Sequence, residues 1–365
     1  MFRHRLTRLL APPVIIISFA HIAYAVLAIP SAQEVEATPA PLSNNVSTYA
    51  TDLIYPRGLK FGPDGNLYVA ESGNGGDVES MGTCENYTSP FTPYHPAMTA
   101  RVTMIGPDGT QTIVADGMPS ARDAYGDVVG STDVAFIDDV LYVLNAGGGC
   151  SRGNPDAPTG VYRANTDASA EVVGDLSTFF PNNPSAAPLD DDYEPDGAAN
   201  AMVAYDGKLY VVNANHATFE EVSLDGSIRR VLDISATEGH ITPTALTLYE
   251  GNFYIGNLGV FPVDAGISKV YKVTPEGEIE VYAEGLTMVL GLAFDDQGQL
   301  YVLESSTADD EFPVAGAGRV VRVADDGTLD VIATGLSYPI GMTFGPDGFL
   351  YVSNYGYGGD PSAGE

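Results

Sequence analysis

Apolar and polar positions along this chain fall into short alternating runs separated by Gly, Pro, Asp and Asn, and one run recurs six times. The copies are Leu67-Tyr68-Val69, Leu141-Tyr142-Val143, Leu209-Tyr210-Val211, Phe253-Tyr254-Ile255, Leu300-Tyr301-Val302 and Leu350-Tyr351-Val352. Each follows another apolar run and a turn, as in Gly58-Leu59-Lys60-Phe61 before Gly62-Pro63-Asp64-Gly65-Asn66, so the repeating unit opens with a β-hairpin. The tyrosines are 44, 47 and 50 residues apart in the later copies, the spacing of a four-stranded propeller blade. Spacings of 74 and 68 in the first two copies indicate the same unit carrying long insertions.

With strands A to D counted outward from the axis, A strands begin near Gly58, Asp133, Ala201, Ala245, Gly291 and Gly341, and the triplets are the B strands. C strands are expected at Ala100 to Ile105, Gly160 to Ala164, Phe219 to Leu224, Ser268 to Val273 and Gly318 to Val323. D strands are expected at Gln111 to Ala115, Ala170 to Val173, Ile228 to Leu232, Glu278 to Ala283 and Thr328 to Ala333, with Ser47 to Leu53 as the outer strand of the last blade. The fold class this predicts is all-β: a six-bladed β-propeller of four-stranded antiparallel blades, closed by an N-terminal strand in the last blade, which removes sheet edges. A sixth C strand is expected after Gly364-Glu365; either the sequence is a truncated one or Tyr355 to Glu365 pairs irregularly in its place.

Before the repeats, Arg3, Arg5 and Arg8 precede an uncharged run from Leu9 to Gln33 with small residues at Ala23, Ala25 and Ala32, the pattern of a secretory signal over residues 1–32. The alternative is an uncleaved anchor, against which stand Pro12, Pro13, Ser18, His21 and Pro30. Residues 33–46 read as a flexible leader and 47–365 as one propeller domain. The net charge is −32, and cleavage of the signal with its three arginines takes it to −35. Such a field argues against nucleic acid and anionic membranes as partners. It suits a solvated exterior surface, or else an acidic face built for a basic partner. Cys84 and Cys150, the two cysteines, lie in the insertions after the B strands of neighbouring blades. In an exported chain they suit a disulfide; two free thiols are the alternative.

The segments Pro56-Arg57-Gly58-Leu59, Gly62-Pro63-Asp64-Gly65-Asn66-Leu67-Tyr68-Val69-Ala70-Glu71, Gly256-Asn257-Leu258-Gly259-Val260-Phe261-Pro262 with Lys269-Val270-Tyr271-Lys272-Val273, and Gly345-Pro346-Asp347-Gly348-Phe349-Leu350-Tyr351-Val352-Ser353-Asn354 resemble the secreted propellers of the scytonemin-biosynthesis (ScyD/ScyE) type. These are similar in architecture to NHL-repeat and SMP-30/gluconolactonase propellers. The resemblance implies a secreted, periplasmic or cell-surface location and the fold; most members have no established activity, and a link to pigment assembly belongs to a few. Similar proteins continue beyond this point with one more strand.

Two residues after each triplet stands a polar residue: Glu71, Asn145, Asn213, Asn257, Glu304 and Asn354. Strand alternation puts them at one end of the B strands, where their oxygens suit either a hard cation such as calcium or loop-closing hydrogen bonds to the backbone. Similar lactonase propellers hold calcium through acidic and amide residues at the A-strand starts. Here Arg57 stands where a Glu is expected, and only Asn200, with Asp133, matches a ligand, which argues against lactone hydrolysis. Arg57 instead suits a substrate carboxylate or a pairing with Glu71. In the insertion before the third blade Asp190, Asp192, Glu194 and Asp196 alternate, a spacing that fits calcium or a plain acidic loop; Pro195 excludes an EF-hand. No zinc spacing and no serine-hydrolase elbow occur, and His216, close to Asn213, is the histidine nearest the mouth. The function expected is a binding or assembly scaffold acting through the channel mouth and the insertions at 72–99, 146–159 and 177–200 on a small molecule, glycan or protein. The alternative is a calcium-dependent lactonase-like hydrolase.

Overall fold

The computed structural model describes residues 40–85, 87, 89, 91–189, 193–307, 313–358 and 360–365. The expected signal and most of the leader lie outside these residues. The first sheet comprises β1 (Pro56–Phe61), β2 (Leu67–Glu71), β3 (His95–Ile105), β4 (Gln111–Arg122) and β5 (Val128–Val129). Four four-stranded sheets follow: β6 (Ser131–Ile137) to β7 (Val140–Asn145), β8 (Gly160–Ala164) and β9 (Ala170–Asp175); β10 (Ala199–Tyr205) to β11 (Lys208–Asn213), β12 (Thr218–Val222) and β13 (Ile228–Asp233); β14 (Pro243–Tyr249) to β15 (Asn252–Asn257), β16 (Ser268–Val273) and β17 (Ile279–Leu286); and β18 (Val289–Phe294) to β19 (Leu300–Glu304), β20 (Gly318–Val323) and β21 (Leu329–Leu336). Every pairing is between sequence neighbours and antiparallel, the meander of a propeller blade.

The molecule therefore has five blades, not the six expected. Among the described residues the sixth repeat supplies β22 (Met342–Phe344) and β23 (Leu350–Val352), a two-stranded sheet. The inner strands β1, β6, β10, β14, β18 and β22 nonetheless follow one another around the axis, and β22 lies against β1. Ser47 to Leu53 does not form the closing outer strand. The amino-terminal segment instead bonds to the edge of β21, Ser43 N–H donating to Thr334 O at 3.1 Å and Asn45 Nδ2 to Ile332 O at 3.0 Å. Only Leu53 makes a bridge, to Gly364. Among the described residues no third strand lies beside β23 for an outer strand to pair with.

The core is divided between blades, because each sheet buries both faces. One cluster joins Ala135, Leu144 and Val161 to Met202, Leu209 and Val222 across the second and third sheets, and another joins Tyr254 and Val270 to Leu292 and Val302 across the fourth and fifth. The triplet tyrosines are part of this packing. Tyr68 meets Phe136 at 4.9 Å, Tyr254 meets Phe294 at 4.7 Å, Tyr301 meets Phe344 at 5.1 Å and Tyr351 meets Phe61 at 5.0 Å between ring centroids, each time an edge-on pair with the next sheet. Each A–B pair of the five blades also carries a register shift at its start, as between Ser131 and Asp133, which bends the inner strand where it leaves the loop.

This topology fixes which loops share a face. B strands end, C strands start, D strands end and A strands start at the same end of the blades, so all three insertions emerge there. In the first, β3 and β4 pair beyond the blade, from Ala97 with Ser120 to His95 with Arg122, making a projecting two-stranded ribbon. In the third, a short helix α1 (Leu176–Asn182) starts at Asp175, whose carboxylate accepts from Thr178 N–H at 2.9 Å. Among the described residues no helix is long and apolar enough to cross a membrane.

Candidate recognition face

All six residues that follow the triplets are buried, and their polar atoms turn to the protein itself. Glu71 accepts from Arg101 Nε and Nη2, both at 2.9 Å, from Thr103 Oγ1 and from Ile54 N–H. Glu304 accepts from Thr287 N–H at 2.7 Å and from Arg319 Nε at 2.5 Å. Asn213 accepts from Ala198 N–H at 2.9 Å, and Asn354 from Ser337 N–H at 2.8 Å. Four of the six thus accept from a backbone N–H just before the A strand of the same blade. Asn145 accepts from Gly147 N–H and donates to Pro119 O, both at 2.9 Å; Asn257 accepts from Lys269 N–H at 2.7 Å and donates to Ile241 O at 3.0 Å. Their geometry is that of loop ties.

Arg57 does not pair with Glu71. Its Nε donates to Ser72 Oγ at 2.6 Å and its Nη2 to Val128 O at 2.7 Å, with Asp127 at 3.8 Å. Along the axis, residues of all six inner strands enclose a cavity of about 30 Å³, lined among others by Lys60, Thr132, Asp133, Asn200 and Thr244. That is room for about one water, against the several hundred Å³ of a typical small-molecule site. Asp133 and Asn200 do meet here, but Asp133 is committed to the backbone. Its two oxygens accept from Val134 and Met202 N–H, each at 2.8 Å, so it links the second blade to the third. Burial, only partly offset by Lys60, pushes its carboxyl up to about 6.

Above this mouth the three insertions are joined. Cys84 and Cys150 form a disulfide, with Cα atoms 4.9 Å apart and a sequence separation of 66. Asp196 lies beneath it: its Oδ2 accepts from Ser151 N–H at 2.6 Å and from Ser151 Oγ, and it stands 3.8 and 3.9 Å from the two sulfurs. Those sulfurs are bonded to each other, so the trio is not a thiolate metal centre.

Next to it Arg152, with 2% of its side chain exposed, donates Nη2 to Glu194 Oε2 and Nη1 to Gly197 O at 3.0 Å. Glu194 Oε1 accepts from the hydroxyls of Tyr94 at 2.5 Å and Tyr87 at 3.2 Å. Burial works against the Arg152 cation, but Glu194, Tyr94, Tyr87 and Asp196 around it more than compensate and hold its pKa above the usual value. Burial and the Glu194 charge push the Tyr94 hydroxyl up in turn. Of the four acidic residues in the alternating loop, Glu194 and Asp196 are these buried partners; Asp190 and Asp192 lie outside the described residues.

His216 completes the group. Tyr193 stacks on it at 4.9 Å with 7° between planes, and its Nε2 meets Glu194 O at 2.7 Å. Burial lowers its pKa to about 4, so the ring is neutral at pH 7. Sequence reasoning placed Cys84, Cys150, Glu194 and Asp196 on this face but missed Arg152, Ser151, Tyr94 and Tyr87. The one signal pointing to Arg152 is its place two residues after Cys150, an arginine inside an insertion of a chain poor in basic residues.

No family model matches this chain, and no curated protein matches it. Solved structures do. A structural genomics protein of unknown function from Bacteroides thetaiotaomicron is 15% identical, with a TM-score of 0.54 over 87% of this chain and 69% of that one. A candidate gluconolactonase is 13% identical, with a TM-score of 0.49 over 84% of this chain and 88% of that one. A streptogramin B lyase is 12% identical, with a TM-score of 0.49 over 87% and 95%. At these identities the likeness is one of fold alone: the chain is a β-propeller.

Proposed function

We propose that this protein is an exported binding module that recognises a protein partner through the face built by its three insertions. The observation that carries this reading is the covalent and ionic stapling of those insertions. The Cys84–Cys150 bond ties the first to the second, and Ser151 and Arg152 of the second hold Asp196 and Glu194 of the third. A surface fixed in this way loses little entropy on binding. It also displays large apolar side chains to solvent: Val78 is 75% exposed, Met81 64% and Tyr125 74%, all on or beside the first insertion. Met and Tyr are residue types enriched in protein interfaces. The charge of −32 favours a basic partner and fast, salt-sensitive association. Export, and kinship with the scytonemin-type propellers, belong to this reading; the disulfide and the amino-terminal signal pattern support the first, the repeat segments the second.

The test is to immobilise the protein against the exported fraction of its source at low and high salt, beside a Val78→Asp/Met81→Asp/Tyr125→Ala variant and a control changed at the far end of the blades, Phe349→Asp. Retention that is lost in the triple variant and at high salt, but kept in the control, supports the reading. Equal retention by all three proteins refutes it, as does turnover of a lactone or ester that calcium switches on.

A further inference from the structure

The Cys84–Cys150 bond and the carboxylate beneath it bring together one residue from each insertion: Cys84 from the first, Cys150 from the second and Asp196 from the third. Among the described residues they are the one group of three potential ligands, drawn from His, Cys, Asp and Glu, whose atoms lie within 4.8 Å of one another. While the sulfurs are bonded to each other the group offers no thiolate. Reduction frees both sulfurs to ionise.

The surrounding chain is shaped to keep the carboxylate in place. Gly149, at φ +89°, lies over Asp196, and a Cβ on it would stand 2.2 Å from Asp196 Cγ. Gly82, at φ +81°, closes the other side, where a Cβ would meet Ser151 O at 2.9 Å and Cys150 O at 3.2 Å. Ser151 N–H and Oγ hold Asp196 Oδ2 from the second insertion. Asp196 Oδ1 therefore stands 3.8 Å from Cys150 Sγ, and Oδ2 3.9 Å from Cys84 Sγ. Sulfur and oxygen ligands of one tetrahedral zinc, at about 2.3 Å and about 2.1 Å from the metal, lie about 3.6 Å from each other. Only the two sulfurs have to part, to about 3.8 Å. Both cysteines are half-buried, so a reductant and a cation reach them from solvent.

We propose that reduction converts this staple into a three-ligand site for a zinc-class cation, with Cys84 and Cys150 as thiolates, Asp196 as the carboxylate and the fourth position open to water. The disulfide takes two electrons and two protons from a dithiol, which leaves as its own disulfide. The cation then displaces the two thiol protons as the sulfurs ligate it. In that state the metal replaces the covalent bond between the first and second insertions and ties the third to both. The face thus has a covalent form and a metal-bound form that exclude each other. Thiolates favour zinc over calcium, which separates this site from a calcium loop built on acidic residues alone. The site does not depend on a protein partner docking on the face.

The test uses the whole protein, reduced without oxygen by a phosphine, which takes the oxygen of a water as it frees the two thiols and leaves no competing thiol behind. Co²⁺ is titrated in as a spectroscopic stand-in for zinc. Expected are a sulfur-to-cobalt charge-transfer absorption that saturates at one Co²⁺ per chain, its loss on adding Zn²⁺ and its persistence in excess Ca²⁺. The oxidised protein and a Cys84→Ser/Cys150→Ser variant should show none. Asp196→Asn keeps an acceptor for Ser151 but removes the carboxylate, and should bind at least about tenfold more weakly. Zn²⁺ should also slow hydrogen exchange of the reduced protein around 84, 150–152 and 194–197. No absorption from the reduced protein, or equal affinity in Asp196→Asn, overturns the inference. So does a reduced protein whose insertions exchange freely and gain no protection from zinc. An absorption that the oxidised protein shares overturns it too, since the ligands then lie elsewhere.

Discussion

Replacing Arg152 by Met tests whether the insertion face is one stapled unit. Met keeps most of the buried stem volume and removes the guanidinium, leaving Glu194, which is 4% exposed, with only the Tyr94 and Tyr87 hydroxyls. Removing one partner of a buried ion pair costs about 3 to 5 kcal/mol, because the remaining charge stays out of water uncompensated. Against a total stability on the order of 10 kcal/mol that is a large fraction. Glu194→Met alone, which strands Arg152 against Gly197 O, should cost a similar amount. The double variant should recover part of the loss, since no stranded charge remains, while the Tyr94 and Tyr87 hydroxyls still lack their acceptor. The expected coupling is therefore at least about 2 kcal/mol.

The chain has no Trp, so denaturant unfolding is followed by tyrosine fluorescence and near-ultraviolet circular dichroism. Hydrogen exchange over 72–99 and 146–159 separates a local opening of the face from global unfolding. A single-variant loss under about 1 kcal/mol, or additive losses in the double variant, would refute the argument that this pair holds the insertions together.

Three further outcomes follow from the same geometry. Reducing the disulfide, or changing both cysteines to Ser, opens a loop of 66 residues and should lower stability by about 4 kcal/mol on the chain-entropy model, read from the shift in denaturant midpoint. His216 is neutral in the fold with a pKa of about 4 against roughly 6.5 unfolded, so below pH 6.5 the unfolded chain binds the extra proton. Its contribution, about 3 kcal/mol, is present above pH 6.5 and is lost as pH falls toward 4; His216→Asn should flatten the unfolding profile across that window and leave it unchanged in slope above it. Finally, Glu71→Asn should cost about 3 kcal/mol by stranding Arg101. Glu71→Asn with Arg101→Gly, which copies the second blade, should cost less than about 1.5, and equal costs would contradict this.

The blade architecture was largely legible because strand alternation and turn chemistry are local properties. β8, β16 and β20 fall at the expected residues, and the inner hairpins fall within two or three of them. The misses share a physical cause. The extension of β3 and β4 carries Pro96 and Pro119, which argue against strand, yet Pro119 falls at the register shift between the Ala97–Ser120 and Ala100–Met118 pairs, and β5 joins β4 beyond it, at Ala121 and Arg122. Ser47 to Leu53 has the pattern of a strand, but an outer strand pairs with a third strand, and among the described residues none lies beside β23. The insertion-face network was out of reach because Arg152 and Glu194 are 42 residues apart, and Tyr94 and Glu194 100, with no periodicity linking them.

The polar residues after the triplets show why a repeated motif need not be a repeated site. Where the residue is Glu, the residue opposite it on the third strand is Arg: Glu71 faces Arg101 and Glu304 faces Arg319. Where it is Asn, the opposite residue is Gly160 for Asn145 and Thr218 for Asn213, and in the fourth blade Asn257 meets the backbone of Lys269, so no acidic charge has to be balanced in these three blades. A ring selected to hold a cation would not need this correspondence, whereas a buried carboxylate does, since it must find a counter-charge within its own blade or go unpaired. Charge is thus balanced blade by blade, and Asn performs the same tie without it. The sixth repeat departs from this pattern: it has Asn354, and the residue opposite is the acidic Glu365, whose Oε1 accepts from Asn354 Nδ2 at 3.0 Å. A glutamate at 354 would face another carboxylate there, so Asn is the member of the pair that this position can take.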